Sequence, residues 1–291
     1  HFDKSCCNQT CTSSWPLFLT LSTNCGRILG TPSFVIIAFF QMLIINYMAN
    51  SLPINGITTG DLSDKLKNLF TPQGSTFAIW GVIYSLLLIF VIRLQFGRID
   101  KKTEKLSKLF VINSLFNSSW IFAWHFELLV FSLMLMVGLL INLIKINILL
   151  KNISDWSNKL TLQMPFTVYF SWISIATIAN VTSVLVGYEW NRFGLSEELW
   201  TQLILIIGII LALTQLIYFK QIVYMFVFLW AYLGIYLKHI SLGGFNNQYP
   251  NIINVLIIGL IILTISMLYL IFHFSKKNPN KNYNSKFTFS K

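Results

Sequence analysis

Long apolar segments constrain this chain more than any other feature. We count eight segments of about bilayer length, at 32–50, 74–94, 109–126, 128–149, 160–187, 201–219, 222–237 and 252–274. A bilayer crossing needs about 20 mostly apolar residues. Backbone groups in lipid must be hydrogen-bonded within their own segment, so we expect all eight segments to be helices. The alternating apolar and polar pattern of a membrane barrel does not occur in the sequence.

The composition supports the same fold class. Of the residues, 55% are hydrophobic and only 11% are charged, whereas soluble domains have about 25% charged residues. A soluble domain of this size could not bury so much apolar surface. We therefore predict an all-α polytopic membrane protein, in which a five-helix core at 32–187 is followed by about three additional transmembrane helices at 188–274.

The net charge of +11 is distributed as membrane topology requires. In an eight-helix arrangement with both termini on one side, almost all of the 21 Lys and Arg fall on that side, and the exceptions are Lys65, Lys67, Arg192 and Lys238. Six acids fall opposite: Asp61, Asp64, Glu127, Glu189, Glu197 and Glu198. The positive-inside rule then predicts cytosolic termini. The basic residues are topology signals and contacts for membrane lipid, so nucleic acid is not expected as a partner.

The two ends of the chain are predicted to lie outside the bundle. Residues 1–31 read as an N-terminal extension, and residues 275–291 as a basic disordered tail. All four cysteines, Cys6, Cys7, Cys11 and Cys25, lie in the extension, in a spacing that matches no strong metal pattern. They would be free thiols in the cytosol, or could pair if that end were luminal, where Asn8 could be glycosylated.

A polar loop at 51–72 separates the first two apolar segments. Its second half places Leu62, Leu66 and Leu69 on one face of a short helix, with Thr59 or Asp61 as the expected cap. This amphipathic helix could lie in the membrane interface or close over the bundle, and the sequence does not decide between the two.

Three segments have polar and aromatic side chains at helical spacing. The three stripes are Phe77, Trp80 and Tyr84; Asn113, Asn117, Trp120 and Trp124; and Trp172, Ala176 and Asn180. Each stripe lies on one helix face. Because asparagine is costly against lipid, the stripes are expected to face a shared interior. From spacing alone, simple helix packing is the favoured interpretation, since intramembrane Asn often joins helices. His125 and Glu127 at one helix end could relay a proton, contact a ligand or simply meet interfacial water.

These residues resemble motifs of the TspO/MBR family, the tryptophan-rich sensory or translocator proteins. Phe70-Thr-Pro72 and Trp80-Gly-Val-Ile-Tyr84-Ser85 are similar to the family's lead into its second helix and the motif that follows. Asn117-Ser-Ser-Trp120 resembles the family's Asn-Trp-x-Trp, with Ser118 replacing the first Trp. Tyr169 to Asn180 resembles Tyr-x-x-Trp-x-x-x-Ala-Thr-x-x-Asn on the fifth helix.

The resemblance implies a five-helix bundle whose cavity binds porphyrins and other hydrophobic ligands, with the first loop as a lid. The residues expected to line or support that cavity are Trp80, Asn117, Trp120, Trp172, Ala176 and Asn180, with Tyr84 and Trp124 added from helical face alone. The implied ligand is a porphyrin or haem, with no cofactor required, and a homodimer is the usual assembly. Light-dependent porphyrin breakdown is reported for the family, but we predict a binding protein rather than an enzyme.

The chain also departs from the family pattern. The loop from 51 to 79 contains no Trp, Ile121-Phe122 replaces the usual double Pro, and three helices follow residue 200. Two other functions therefore stay open: a transporter of a small hydrophobic or tetrapyrrole solute, and a structural membrane assembly protein. The sequence does not name the membrane.

Overall fold

A computed structural model describes residues 31–277 except 53, 67, 98 and 99. The described residues form eight long α-helices and one short α-helix in the first loop, without a strand. Shorter helical turns occur at Ile54–Gly56, Gly74–Ala78, Trp156–Asn158, Lys159–Gln163 and Arg192–Gly194. They are α1 (Pro32–Ser51), α2 (Thr59–Lys65), α3 (Ile79–Phe96), α4 (Lys101–His125), α5 (Leu129–Leu150), α6 (Met164–Gly187), α7 (Glu197–Phe219), α8 (Ile222–Ile240) and α9 (Pro250–Lys277). The four cysteines, Asn8 and residues 278–291 lie outside the described residues, whereas residues 275–277, predicted as tail, continue α9.

Seven helical stretches of the described chain are long and apolar enough to cross a membrane. The prediction of an all-α polytopic membrane protein is confirmed. The predicted count of eight apolar spans is one too many by this criterion, because α4 is too polar to meet it. Six of its polar side chains are buried inside the bundle; they are Ser107, Asn113, Ser114, Asn117, Ser118 and His125. The helix is 25 residues long and packs between α1 and α5.

Helix α4 begins about two turns before the predicted start at 109. Asp100 caps it, because its carboxylate accepts a 2.7 Å hydrogen bond from the Thr103 backbone N–H. Thr103 Oγ1 in turn accepts a 2.8 Å bond from the Asp100 backbone N–H. This reciprocal capping box satisfies two backbone donors that a helix start leaves without partners. It lets the helix begin in a charged segment where apolar length gives no signal.

Five long helices form a closed ring. Helix α4 packs against α1 and α5, α5 packs against α6, and α3 joins α6 to α1. The three C-terminal helices form a second group in which α7, α8 and α9 contact one another. Only α8 is closely packed against the ring, where it lies along α6, and Ser171 Oγ donates a 2.7 Å hydrogen bond to the Tyr224 carbonyl. The additional helices therefore cover one side of the five-helix core.

The first loop closes over one end of the ring, which we call the lid end. Its helix α2 is shorter than the leucine spacing predicted, since it stops at Lys65 and leaves Leu69 beyond it. The expected caps, Thr59 and Asp61, were wrong: the Thr58 hydroxyl accepts from the Asp61 backbone N–H at 3.2 Å. Leu62 and Leu69 are buried against the bundle. The loop thus covers the bundle rather than lying away from it in the membrane interface.

The opposite end of the ring, the basic end, is where α1 starts and α3 finishes. Gln95 Nε2 donates a 3.2 Å hydrogen bond to the Pro32 carbonyl across these two termini. The described charged residues at this end are Arg93, Lys101, Lys102, Lys105, Lys108, Lys145, Lys151, Lys159 and Lys220, with Asp100, Glu104 and Asp155. Those at the lid end are Lys65, Arg192 and Lys238, with Asp61, Asp64, Glu127, Glu189, Glu197 and Glu198. The two ends therefore differ strongly in charge.

Candidate functional site: an aromatic pocket beneath the lid

A narrow aromatic pocket lies between the lid and the helices α3, α4 and α6. We call it the inner pocket, and its volume is about 50 Å³. It is lined by Thr59, Ser63, Pro72, Phe77, Trp80, Trp120, Trp124, Trp172, Ile175, Ala176, Ala179, Asn180 and Ser183. Six of the eight residues that the sequence singled out are in this list, and they come from three different helices. The helix faces that carry the stripes therefore meet at one place.

The tryptophan rings of the inner pocket pack in two ways. Trp120 and Trp124 are one helical turn apart on α4, and their rings stack with centroids 5.9 Å apart at an angle of 20°. Trp172 on α6 instead meets the Trp80 ring edge-on, at 6.4 Å and 82°. Phe77 also lies edge-on against Trp172, at 5.9 Å. Offset-stacked and edge-to-face pairs are the favourable geometries for aromatic rings, so the walls are held in defined positions.

Three polar groups of the pocket region lack a hydrogen-bond partner among the described protein atoms. They are the indole N–H groups of Trp120 and Trp172 and the hydroxyl of Tyr84. Indole nitrogens are donors only. A buried donor without a partner costs about 1–3 kcal/mol, so native structures normally pair such groups with protein, water or a ligand. A hydrogen-bond acceptor of a ligand that came within reach of these groups would satisfy them.

A wider cleft adjoins the inner pocket on the side of α1, and we call it the outer cleft. Its volume is about 290 Å³, and its lining includes Leu43, Asn46, Tyr47 and Asn50 from α1 and Tyr84 from α3. The two spaces share four lining residues, Thr59, Phe77, Trp80 and Trp120. Tyr84, predicted for the cavity, therefore lines the cleft rather than the inner pocket. Its ring stacks on Trp80 at 5.6 Å.

Asn117 lines neither space but supports the wall behind them. It is fully buried, accepts a 2.7 Å hydrogen bond from Asn46 Nδ2 and donates a 2.8 Å bond to the Tyr169 hydroxyl. The Tyr169 ring lies edge-on against Trp80, with centroids 5.8 Å apart. Asn117 thus joins α1, α4 and α6 and positions Trp80 through Tyr169. Asn46 and Tyr169 were not among the predicted site residues, although Tyr169 opens the third motif.

The other two asparagines of the stripes, Asn113 and Asn180, differ in their position and in their hydrogen bonds. Asn180 lines the inner pocket, and its amide lies 3.4 Å from the Ser132 hydroxyl on α5. Asn113 is fully buried, and neither of its amide atoms has a partner among the described residues. It lies two helical turns from the pocket lining on α4. The prediction of a polar interior is met, but only part of that interior borders the pocket.

His125 and Glu127 fasten the lid. The His125 ring is fully buried, with Nε2 2.9 Å from Thr59 Oγ1 and Nδ1 3.0 Å from the Ile54 carbonyl. Glu127 forms a 2.6 Å ion pair with Lys65 at the surface. Neither residue lines the inner pocket or the outer cleft. The bonds of His125 join the lid to the end of α4, and the ion pair of Glu127 joins it to α2 at the surface. The proton relay, the ligand contact and the contact with interfacial water considered for these two residues stay predictions.

Helix α8 fastens the other edge of the lid loop. His239 Nε2 lies 2.9 Å from the Leu69 carbonyl, and Lys238 forms an ion pair with Asp64. Further along, the Gly234 carbonyl accepts a 3.0 Å bond from the Gln73 backbone N–H. The Trp230 indole donates a 2.9 Å bond to the Thr76 carbonyl. The lid over the aromatic pocket is therefore fixed by one of the additional helices as well as by the core.

The fold and the pocket define a class: a helical membrane protein with an aromatic pocket at one end of a five-helix ring. A family model described as TSPO-like protein matches residues 32–269. The chain belongs to this TSPO-like family. The match includes α7, α8 and most of α9, so the additional helices lie within the family region. No curated protein and no solved structure matches the chain.

Proposed function

We propose that this protein binds a tetrapyrrole, or a similarly flat amphipathic molecule, in the inner pocket, and that it has a sensory or regulatory role. The observation that supports the proposal most is the joint presence of four tryptophan rings and two unpartnered indole N–H groups in one buried site. Apolar walls with a few convergent polar groups are typical of small-molecule sites. Family membership alone establishes a TSPO-like membrane protein and leaves the ligand open.

A porphyrin has groups that match both the aromatic rings and the indole N–H donors of the pocket. Its flat ring can stack on Trp80, Trp120 or Trp172. Its carboxylates can accept hydrogen bonds from the indole N–H groups, and bonds to charged acceptors are the stronger kind. Asn180 adds an amide at the far wall. The two indole N–H groups that the ligand would use have no partner within the described protein, whereas Asn180 already bonds to Ser132.

The lining favours recognition of the ring over recognition of a bound iron. Haem iron is held in proteins by His, Cys, Met or Tyr. None of the described residues that line the inner pocket is of these types, and both ring nitrogens of the nearby His125 already have protein partners. In the inner pocket a haem would depend on ring stacking, as a metal-free porphyrin would, whereas the outer cleft offers Tyr47 and Tyr84 as lining residues of a type that can hold iron.

The ligand needs more room than the inner pocket has. Pockets for drug-sized ligands have volumes of about 300–1,000 Å³, and the inner pocket and outer cleft together reach only the lower end of this range. Phe77 and Trp80 line both spaces. We propose that their rings move apart on binding, which would join the two spaces beneath a lid that stays in place.

The test is a titration of the detergent-purified protein with protoporphyrin IX, followed by porphyrin absorption. The test variant Trp172→Phe keeps an aromatic ring and removes the indole N–H. The matched control is Trp156→Phe, since Trp156 is 71% exposed and lies near the basic end. We expect saturable binding that weakens about tenfold or more in Trp172→Phe, the equivalent of one hydrogen bond to a charged group, and that is unchanged in the control.

Equal weakening in the two variants, or no saturable binding by folded protein, would contradict the proposal. Light-dependent loss of the porphyrin in the same samples would show whether binding leads to chemistry. Transport predicts flux of the porphyrin across sealed liposomes that contain the protein, whereas a binding role predicts none.

A structural role is the second candidate, and the asparagine contacts favour it for part of the site. Asn117 bridges three helices, and Asn147 Nδ2 donates a 3.2 Å hydrogen bond to the Phe166 carbonyl between α5 and α6. If the stripes only pack helices, Trp172→Phe should lower stability and leave porphyrin affinity unchanged.

We also propose that the basic end faces the cytosol. The excess of Lys and Arg among the described residues there, and of acids at the lid end, matches the positive-inside rule. A cysteine introduced at exposed Ser154 should then react with a membrane-permeant reagent only, whereas one at exposed Asn191 should react with an impermeant reagent added outside. The reverse pattern would contradict this orientation.

A further inference from the structure

A second cavity lies at the basic end, away from the aromatic pocket. It has a volume of about 260 Å³ and sits where α3 ends, α4 begins and the link between α5 and α6 passes. Its lining is Arg93, Asp100, Lys102, Thr103, Leu106, Leu150, Asn152, Ile153, Ser154, Asp155, Asn158 and Leu162. The deeper lining residues, such as Leu106 and Leu150, are apolar and buried, whereas the rim is polar and charged.

Arg93 is the most informative residue of this cavity. Its side chain is half-buried, and its guanidinium donates one long hydrogen bond of 3.4 Å to Asn158 Oδ1. Among the described residues it forms no ion pair, although Asp100 and Asp155 line the same cavity. A guanidinium has five N–H donors that fit a phosphate or carboxylate in pairs. Within the described residues the guanidinium makes no hydrogen bond other than the one to Asn158, and its Nη1 atom lies against Gly97.

The two carboxylates of the cavity have a different local role. Asp100 accepts from the Thr103 backbone N–H, and Asp155 accepts from the Asn158 backbone N–H at 2.9 Å. The hydrogen bonds from the backbone N–H and the hydroxyl of Thr103 hold the pKa of Asp100 below its usual range, so this group stays charged near neutral pH. The cavity therefore has two positively charged side chains, Arg93 and Lys102, in its lining. Its two carboxylates accept hydrogen bonds from helical turns and form no ion pair with Arg93.

We propose that this cavity binds a headgroup that has both a phosphate and a primary ammonium, the chemistry of a phosphoethanolamine ester. The phosphate lies against the Arg93 guanidinium and the Lys102 ammonium. The ligand's ammonium lies against the carboxylates of Asp100 and Asp155. A purely anionic headgroup would leave the carboxylates unfavourably close to its charge, and a quaternary headgroup would offer them no N–H donor.

The position of the cavity suits a phospholipid that presents this headgroup. It is at one end of the membrane-spanning ring, and apolar side chains form its inner wall. The same recognition would also accept a soluble phosphoethanolamine, because both share the charged groups. The two sources differ in the acyl chains, which only the lipid can place along the bundle.

The experiment uses the full chain purified in detergent and short-chain lipids as probes. Dihexanoyl phosphatidylethanolamine, dihexanoyl phosphatidylcholine and free O-phosphoethanolamine are titrated separately, and bound probe is counted by native mass spectrometry. We expect the ethanolamine lipid to bind more tightly than the choline lipid. Arg93→Gln should weaken it by roughly tenfold to a hundredfold, the range for hydrogen bonds to a charged group.

Matched variants separate recognition from folding. Asp100→Asn combined with Asp155→Asn removes both carboxylate charges but keeps both caps, because Asn and Asp are equally good N-caps. This variant should lose the preference for ethanolamine over choline. The Arg93→Lys variant should bind the ethanolamine lipid less tightly than wild type does, because lysine keeps the positive charge but lacks the paired N–H donors of a planar guanidinium. Lys145→Gln, on an exposed residue at the same end and outside the cavity, should change nothing.

The outcomes decide between the sources and test the site. If free O-phosphoethanolamine binds as tightly as the lipid and with the same dependence on Arg93, the site recognises the headgroup alone. If only the lipid binds, the acyl chains are part of the recognition. Equal binding of the two lipids by wild type, or equal effects of Arg93→Gln and Lys145→Gln, would overturn the proposal.

Discussion

Removal of the Tyr169 hydroxyl should show whether Asn117 joins the helices as the structure indicates. Tyr169→Phe deletes the acceptor of the 2.8 Å bond from Asn117 and leaves the ring against Trp80. A side-chain hydrogen bond between membrane helices contributes about 0.6 kcal/mol on average and at most about 1.7 kcal/mol. We expect the free energy of unfolding to fall by an amount in that range.

Asn117→Ala should lower the free energy of unfolding by more than Tyr169→Phe does, because Asn117 makes two hydrogen bonds and the second joins it to Asn46 at 2.7 Å. Two such bonds correspond to about 1–3 kcal/mol. In the double variant, the shared bond is lost only once. The free energy of unfolding that the double variant loses should therefore be smaller than the sum of the losses in the two single variants by about 0.6–1.7 kcal/mol.

The assay is unfolding of the detergent-purified protein in increasing sodium dodecyl sulfate, followed by circular dichroism. Tyr188→Phe is the control, since Tyr188 is 67% exposed, and it should stay within about 0.5 kcal/mol of wild type. If the effects of Tyr169→Phe and Asn117→Ala are additive to within about 0.3 kcal/mol, the bond does not couple α4 to α6 and the reasoning is refuted.

Three other substitutions have expected outcomes. Asp100→Ala should lower stability by about 1 kcal/mol through loss of the α4 cap, measured by the same unfolding assay. Hydrogen bonds from Thr103 lower the pKa of Asp100 in the folded protein. The stability that Asp100 contributes should therefore be present above the ordinary carboxyl pKa of about 3.9 and disappear as pH falls through the lower folded value. A loss of stability in Asp100→Ala that is equal at all pH values would contradict this. Gly234→Ala should destabilise by about 1–3 kcal/mol, because a Cβ there would overlap the buried Thr76 side chain, and unchanged stability would show that α8 can shift away from the lid. Ala176→Phe should fill the inner pocket and abolish saturable porphyrin binding without loss of helical circular dichroism, and unchanged binding would place the ligand elsewhere.

The helices were largely predictable because apolar length is a direct requirement of the bilayer. The predicted segment 128–149 differs by one residue at each end from Leu129–Leu150. Helix α4 is an exception, because its buried Asn113 and Asn117 make it too polar to be recognised as a membrane span by length and hydropathy. It was predicted as an apolar segment at 109–126, and the spacing of Asn and Trp predicted only which of its faces turns inward. Its true start depends on the Asp100 capping box in a charged segment.

The predicted site residues meet because each stripe lies on one face of a helix in a ring of five. The contacts between them were not predictable. Asn117 bonds to Tyr169 and Asn46, which are 52 and 71 residues away in the chain, and no local pattern specifies such a partner. The same holds for His125, whose neighbours Thr59 and Ile54 belong to the lid. Thr59 also lines the pocket without a signal in the sequence, since the path of the lid decides which of its faces turns inward.

The role of the C-terminal helices also required three-dimensional information. Nothing in the sequence of these helices specifies which surface they pack against. Helix α8 packs along α6 and fixes the lid through Lys238 and His239. An apolar helix face can pack against lipid, another helix or a partner with similar energy, because lipid tails are as apolar as the side chains. Only the contacts distinguish these cases.

The most direct test of the aromatic pocket is an experimental structure of the protein with protoporphyrin IX. We predict density for a flat ring beneath the lid, in contact with Trp80, Trp120 and Trp172, with the inner pocket and outer cleft joined and His239 still bound to the lid. Density for the ring at another surface, with these three tryptophans packed as they are without ligand, would contradict the account.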